Sequence, residues 1–198
     1  MDDKAGALKR TWNLLNQPSA KYPLLALLVV GFFSGIIFWV GFGAAMEATS
    51  SMEFCVSCHE MGDTVYQEYK QTIHYTNRTG VRTICSDCHT PRDWRHKMIR
   101  KIQASQEVWA SFTGYIGTPE KFEAHRMKMA TWEWNRLKAS DSRECRNCHT
   151  DDAMSADVQK PSAFKEHTKG KQAGQTCIDC HKGIAHKLPK EYRDPDEE

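Results

Sequence analysis

Four short runs hold the residues best able to do chemistry: CVSCH (55–59), CSDCH (85–89), CRNCH (145–149) and CIDCH (177–181). They use all eight cysteines: Cys55, Cys58, Cys85, Cys88, Cys145, Cys148, Cys177 and Cys180. Two thiols separated by two residues and followed at once by an imidazole form the attachment signature of c-type haem. The thiols bond the porphyrin edge and the histidine becomes an axial iron ligand. The pattern predicts four covalently attached haem c groups, with His59, His89, His149 and His181 as motif ligands.

Other uses of paired thiols fit less well. Structural zinc pairs its Cys-x-x-Cys units across roughly 12–20 residues and needs no histidine after each. Here 26 residues separate Cys58 from Cys85, and 28 separate Cys148 from Cys177. Thioredoxin-like chemistry needs a βαβ surrounding, and no strand-rich stretch flanks any motif. With only nine histidines in the chain, one after every pair is no accident.

Four haems call for up to eight axial ligands. Beyond the motif histidines stand His74, His96, His125, His167 and His186. His74 and His167 lie at corresponding places between paired motifs, and His186 follows the last motif, so these three are the expected distal ligands. Which haem each reaches is not readable from spacing, and ligation across modules suits so packed an array. His125, among Glu123, Arg126 and Lys128, reads as a solvated helix residue. His96 is ambiguous, seven residues after His89. The place five after the final motif histidine is His186, but the matching place in the first half is Trp94, leaving the first half one histidine short.

The motifs fall into two modules, about 55–94 and 145–186, because the first and third begin 30 and 32 residues before the second and fourth. Between them, PRDWRHKMIRKIQASQEVWASF (91–112) has helical spacing of Trp94, Met98, Ile102, Trp109 and Phe112 and basic residues in its first half. Gly114 and Gly117 break it. Thr118, Pro119 and Glu120 then start a second helix that can run to about Ser140. Strand signals are nearly absent. The expected fold is mostly α: a loop-rich multihaem cytochrome c domain of two paired-haem modules, preceded by one transmembrane helix. From Glu47 onward, 152 residues poor in aliphatics can bury little apolar surface of their own, so porphyrin is expected to form much of the core.

The anchor is legible by itself. Mean hydropathy over the chain is −0.64, yet Tyr22 to Met46 is a run of 25 residues without one charged side chain. At about 1.5 Å per residue this crosses a hydrocarbon core of about 30 Å, and it is longer than the apolar region of a cleaved signal. Lys4, Lys9, Arg10 and Lys21 precede it and Glu47 and Glu53 follow, an asymmetry that puts residues 1–21 in the cytoplasm and 47–198 outside. The outer part carries 23 Lys and Arg against 23 Asp and Glu, so haem propionates should make it acidic, and nothing in its charge calls for nucleic acid. The last residues, DPDEE, read as a solvated end. No Gly-rich nucleotide loop or hydrolase constellation appears, and no polar distal pocket marks a terminal reductase.

One anchor, four CxxCH motifs, the CHEM extension of the first, the HKMIRKI helix and the closing CIDCHKGIAHKLP resemble the NapC/NirT family of membrane-anchored tetrahaem quinol dehydrogenases, over Pro18 to Pro189 and most nearly its NapC branch. The resemblance implies an inner-membrane, single-pass protein of anaerobic respiration. It would take electrons from menaquinol or ubiquinol and pass them to a periplasmic reductase or its cytochrome subunit, nitrate reductase first and nitrite reductase as runner-up. It implies that Met61 ligates haem 1, replacing or competing with His59. It also implies a quinol site using a lysine and an acid on the helix after the second motif, matched here by Lys101 and Glu107, with Arg100 in reserve. The basic cluster Arg92, Arg95, Lys97, Arg100 and Lys101 equally suits a helix lying on anionic lipid.

Overall fold

The computed structural model describes residues 21–193 together with Gly6, Lys9, Arg10, Trp12 and Asn13. The rest of the predicted cytoplasmic segment and the DPDEE tail lie outside the described residues. The chain divides into two compact units, Met1–Glu47 and Ala48–Glu198.

The first unit is dominated by helix α1, Leu24–Ala48. The apolar run was expected over 22–46; Pro23 delays the start, and the helix continues through Glu47 and Ala48. Leu25, Phe32, Ile37 and Val40 are exposed on a helix apolar all round, the pattern of a helix whose solvent is not water. It is the one described helix long and apolar enough to cross a membrane.

The second unit is helical, and among the described residues no strand forms. Helix α2 (Met52–Val56) is capped by Ser51, whose Oγ accepts from the Phe54 amide at 3.2 Å. A π-helical turn, Met61–Val65, leads into α3 (Tyr66–Tyr69), and the second motif forms α4 (Cys85–His89). The basic segment becomes α5, Trp94–Phe112, three residues later than Pro91 suggested. The reason is Asp93, whose carboxylate accepts from the His96 amide at 3.0 Å and fixes the start. Gly114 takes a left-handed φ of 67°, and α6 then runs Pro119–Ala139 with Thr118 as its cap, as expected. Short α7 (Arg143–Arg146), two 3₁₀ turns, α8 (Pro161–Gln172) and α9 (Cys177–Cys180) complete the order.

Packing in this unit relies on charge as much as on apolar contact. Its buried hydrophobic side chains are Tyr69, Phe122, Leu137 and Ile178, whereas Glu60, Arg100, Arg126 and Glu144 are buried as well. Arg126 on α6 grips Glu68 of α3 with two bonds, Nη2 to Oε1 at 2.7 Å and Nη1 to Oε2 at 3.1 Å. The same pair holds both backbone groups of Lys187: Glu68 Oε2 accepts its N–H at 3.0 Å, and Arg126 Nη1 donates to its carbonyl at 3.3 Å. One ion pair therefore ties the first module, the middle helix and the C-terminal segment.

A second brace precedes the third motif. Asp141 and Ser142 have φ of 53° and 50°, a left-handed conformation costing about 1–2 kcal/mol per residue for non-glycine side chains. Arg146 offsets it by donating to the Asp141 carbonyl at 2.9 Å and carboxylate at 3.1 Å. The fully buried Ser142 Oγ accepts from the Ile178 amide at 3.2 Å, linking third and fourth motifs.

Breaking a buried pair strands the remaining charge. Arg126→Met should cost about 3–5 kcal/mol on that ground, and adding Glu68→Gln should restore part of the loss. Denaturant unfolding of the two single variants and the double variant checks this; strictly additive losses would contradict it.

Candidate functional site

The sequence offered nine histidines, and six of them meet in three facing pairs. His74 and His149 have ring centres 6.2 Å apart, His89 and His186 6.1 Å, and His167 and His181 5.9 Å. Two imidazoles on opposite sides of one iron, each bonded at about 2 Å through a ring nitrogen, would have centres about 6 Å apart. The arrangement thus fits the group that the motifs call for. Each pair joins one motif histidine to one of the three expected distal histidines. His167 faces a motif of its own module, while His74 and His186 face motifs of the other module. The formal equivalence of His74 and His167 in sequence does not carry into their partners.

The outer nitrogens explain how several rings are oriented. His89 Nδ1 lies 2.9 Å from Glu133 Oε1, and Glu133 is gripped twice by Arg136, at 2.7 and 2.9 Å. Arg136 Nη2 also donates to the Cys88 carbonyl at 3.1 Å, tying the brace to the motif itself. Burial would push Glu133 up, but the His89 charge and the Arg136 bonds hold it at about 2. Burial likewise lowers His89, and Glu133 outweighs it, so His89 rises. Its partner His186 is pushed down to about 4, chiefly by burial, which the Glu68 charge only partly opposes. His167 Nδ1 is 2.7 Å from Gln159 Oε1, which leaves its Nε2 toward His181. Nδ1 of both His74 and His186 is buried without a hydrogen-bond partner among the described residues.

Sequence reasoning missed Glu133, Gln159 and the Glu68–Arg126 clamp. A signal existed for Glu133: it stands three residues before Arg136, the spacing of an ion pair on one helix face. The motifs also differ locally. In the second and fourth, the third residue is an aspartate whose carboxylate accepts a backbone N–H, Asp87 from Ile84 at 2.9 Å and Asp179 from Thr176 at 2.8 Å. The first and third motifs have Ser57 and Asn147 there.

The first motif stands apart. The His59 side chain is 67% exposed, with Nε2 3.5 Å from Glu60 Oε1, and it is in none of the three pairs. Met61 opens the π-helical turn and is partly exposed. Gly62 lets that turn close, since a Cβ there would come within 3.1 Å of the Val56 carbonyl. A small cavity beside His59 is lined by Glu60, Asp63, Thr64, Ile116 and Thr118. Helix α2 packs against α4, with Cys85 Sγ 3.3 Å from Met52 Sδ, and the neighbouring Cys85 side chain lowers Cys55 to about 7. The first and second motifs are therefore packed side by side.

His96 and His125 are occupied otherwise. His96 Nδ1 is 2.6 Å from Asp93 Oδ1 at the start of α5. His125 Nδ1 is 2.8 Å from the Lys121 carbonyl, and its ring lies 4.0 Å from that of Tyr115. Lys101 and Glu107 do not pair with each other. Glu107 bonds Arg100 at 2.7 Å, because residues seven apart share a helical face and residues six apart do not. Lys101 Nζ donates to the Thr49 carbonyl at 2.6 Å and hydroxyl at 2.9 Å, and its charge acts on Cys55 of the first motif.

Thiol pairs on short helical turns, each ending in an imidazole that faces or neighbours another potential ligand, define a c-type cytochrome. The profile of the NapC/NirT cytochrome c family, N-terminal region, matches residues 17–191, and the chain belongs to that family. It is 57% identical to the denitrification system component NirT of Stutzerimonas stutzeri, covering 93% of this chain and 92% of that protein. With the cytochrome c-type protein NapC of Escherichia coli K12 it shares 53% identity over 95% and 94% of the two chains. With TorC of the same strain it shares 45%, over 92% of this chain and 47% of TorC. No solved structure matches. Membership implies covalently bound haem c and a membrane cytochrome c electron-transfer role.

Gly183, between His181 and His186, has φ 74°, and a Cβ there would come within 2.9 Å of Leu188 Cγ. Gly80 has φ 72° with nothing within 4 Å. Both changes to alanine incur the left-handed cost of about 1–2 kcal/mol, and Gly183→Ala should lose measurably more. Unfolding midpoints of the two variants test this, and equal losses would contradict it.

Proposed function

We propose that this protein is a quinol dehydrogenase that carries four haem c groups and passes electrons from membrane quinol to a periplasmic reductase. The cysteine pairs Cys55/Cys58, Cys85/Cys88, Cys145/Cys148 and Cys177/Cys180 would hold the four groups. His89 with His186, His149 with His74, and His181 with His167 would supply axial nitrogens to three of them. The fourth, on the first motif, would depend on Met61 or His59. Bound haem iron supplies one-electron oxidation and reduction.

The observation that carries this reading is the inequality among the motifs: three histidine pairs at 5.9–6.2 Å, and one motif whose histidine is in none of them. A weakly held first haem suits contact with an incoming substrate. Quinol oxidation releases two protons with its two electrons, so ionisable side chains must stand near. Lys101, acting on Cys55 and bonded to Thr49, is the residue we assign to receive or relay a proton there. Glu107, held by Arg100 at 2.7 Å, would serve by its charge and as an exit toward solvent. Glu133 is a positioning residue: by accepting from His89 it fixes that ring and raises its basicity as a ligand. The N-terminus is assigned to the cytoplasm on the lysine and arginine asymmetry.

For the electron acceptor we favour a periplasmic nitrate reductase, in line with the NapC relatives. A nitrite-reducing partner is the second reading, favoured by the 57% identity to a protein named for denitrification.

Purified protein mixed with a soluble quinol, with no other dehydrogenase present, should become reduced. Lys101→Met should slow that reaction about 100-fold, the lower range for a positioned acid or base, while retaining four haems and full reduction by dithionite. Wild-type protein reduced by dithionite but not by quinol would overturn the assignment.

A further inference from the structure

Arg100 has more buried donors than the described residues have acceptors for it. It is 8% exposed. Its Nη2 forms an ion pair with Glu107 Oε1 at 2.7 Å, and the guanidinium carbon lies 5.4 Å from the Trp132 ring centre. Nε and Nη1 are buried with no hydrogen-bond partner among the described residues. Glu107 is 55% exposed on its side chain, so its charge is partly screened by water and it can answer only one edge of the guanidinium. Leaving two donors of a permanent cation dry and unmet forfeits the hydrogen bonds each would make in water. Burial on these terms points to an anion that the chain's own carboxylates do not supply.

The location narrows the choice. Arg100 lies against Trp132, and the next residue, Glu133, has its Oε1 2.9 Å from His89 Nδ1. His89 ends the second motif, and a haem attached at Cys85 and Cys88 would bring two propionate carboxylates to this neighbourhood. A quinol oxygen is the other acceptor of similar chemistry, but it is neutral and leaves at each turnover, so it would strand the donors between cycles.

We infer that Arg100 is an anion site for a propionate carboxylate of the haem on the second motif, with Glu107 and Trp132 fixing the guanidinium plane. This rests on the multihaem reading above and assigns Arg100 to cofactor binding, separate from the quinol role given to Lys101. A cation bonded to that carboxylate favours the reduced, less positive haem, so Arg100 would raise the potential of one haem relative to a neutral neighbour.

The test uses full-length protein purified in detergent. The wild-type haem count, read first by alkaline pyridine spectrum, checks the multihaem reading independently. Arg100→Met should then retain four haems, lower the midpoint potential of one haem in a redox titration, and shift one propionate bending band in the resonance Raman spectrum. Arg100→Lys should keep that potential near the wild-type value and still shift the band, because an ammonium meets the same carboxylate with different geometry. Should Arg100→Met fail to retain four haems, Arg100→Lys carries the decision: a shifted band supports the site and an unmoved band overturns it. Four haems with unchanged potentials and bands in Arg100→Met, and a raised KM for quinol instead, would overturn the inference in favour of the substrate.

Discussion

The second unit depends on holding imidazole rings in opposed pairs with centres about 6 Å apart, using residues distant in sequence. His74 must reach His149, and His186 must return to His89. A haem iron held between two such rings would keep them from packing on each other, so neither ring could be positioned by its partner. Each must be held from behind. Where the hold is visible it is polar: Glu133 behind His89 and Gln159 behind His167. The Glu68–Arg126 pair fixes the Lys187 backbone immediately after His186.

The scarcity of apolar core follows from the same constraint. A domain that reserves its centre for facing imidazoles has few positions left for aliphatic side chains, and four buried hydrophobics among the described residues of the second unit are what remain. Buried ion pairs take over the bracing. Arg136 connects Glu133 to Cys88 and lies 3.7 Å from Glu144, the residue before Cys145, so one guanidinium spans the second and third motifs. Such pairs contribute little net stability compared with apolar packing, but losing one partner is costly. They suit a domain in which ring orientation matters more than total stability.

Much of this was legible in the sequence because haem attachment uses contiguous residues. The four motifs, the apolar helix, the Thr118–Pro119 helix start and the distal candidates His74, His167 and His186 all follow from local patterns. Pairing was not legible: His74 and His167 occupy like places, yet one faces the other module and one its own. Helix starts also misled where a side chain decided the matter, as Asp93 did over Pro91. The Lys101 and Glu107 assignment came from resemblance, and the pairing of Glu107 with Arg100 was not part of it. Long-range polar contacts such as Glu68 with Lys187, separated by 119 positions, leave no periodic trace to read.

The ring planes offer a direct test of the paired-ligand account. His74 and His149 are nearly perpendicular at 82°, whereas His89/His186 and His167/His181 are inclined by 35° and 42°. Perpendicular axial imidazoles leave two iron d orbitals nearly equal in energy and give a low-spin ferric signal with one very large g value; smaller angles split those orbitals and give rhombic signals. Low-temperature EPR of the oxidised protein should therefore show one large-g low-spin haem, two rhombic low-spin haems, and a fourth haem of different ligation. Four equivalent rhombic low-spin signals would contradict the account.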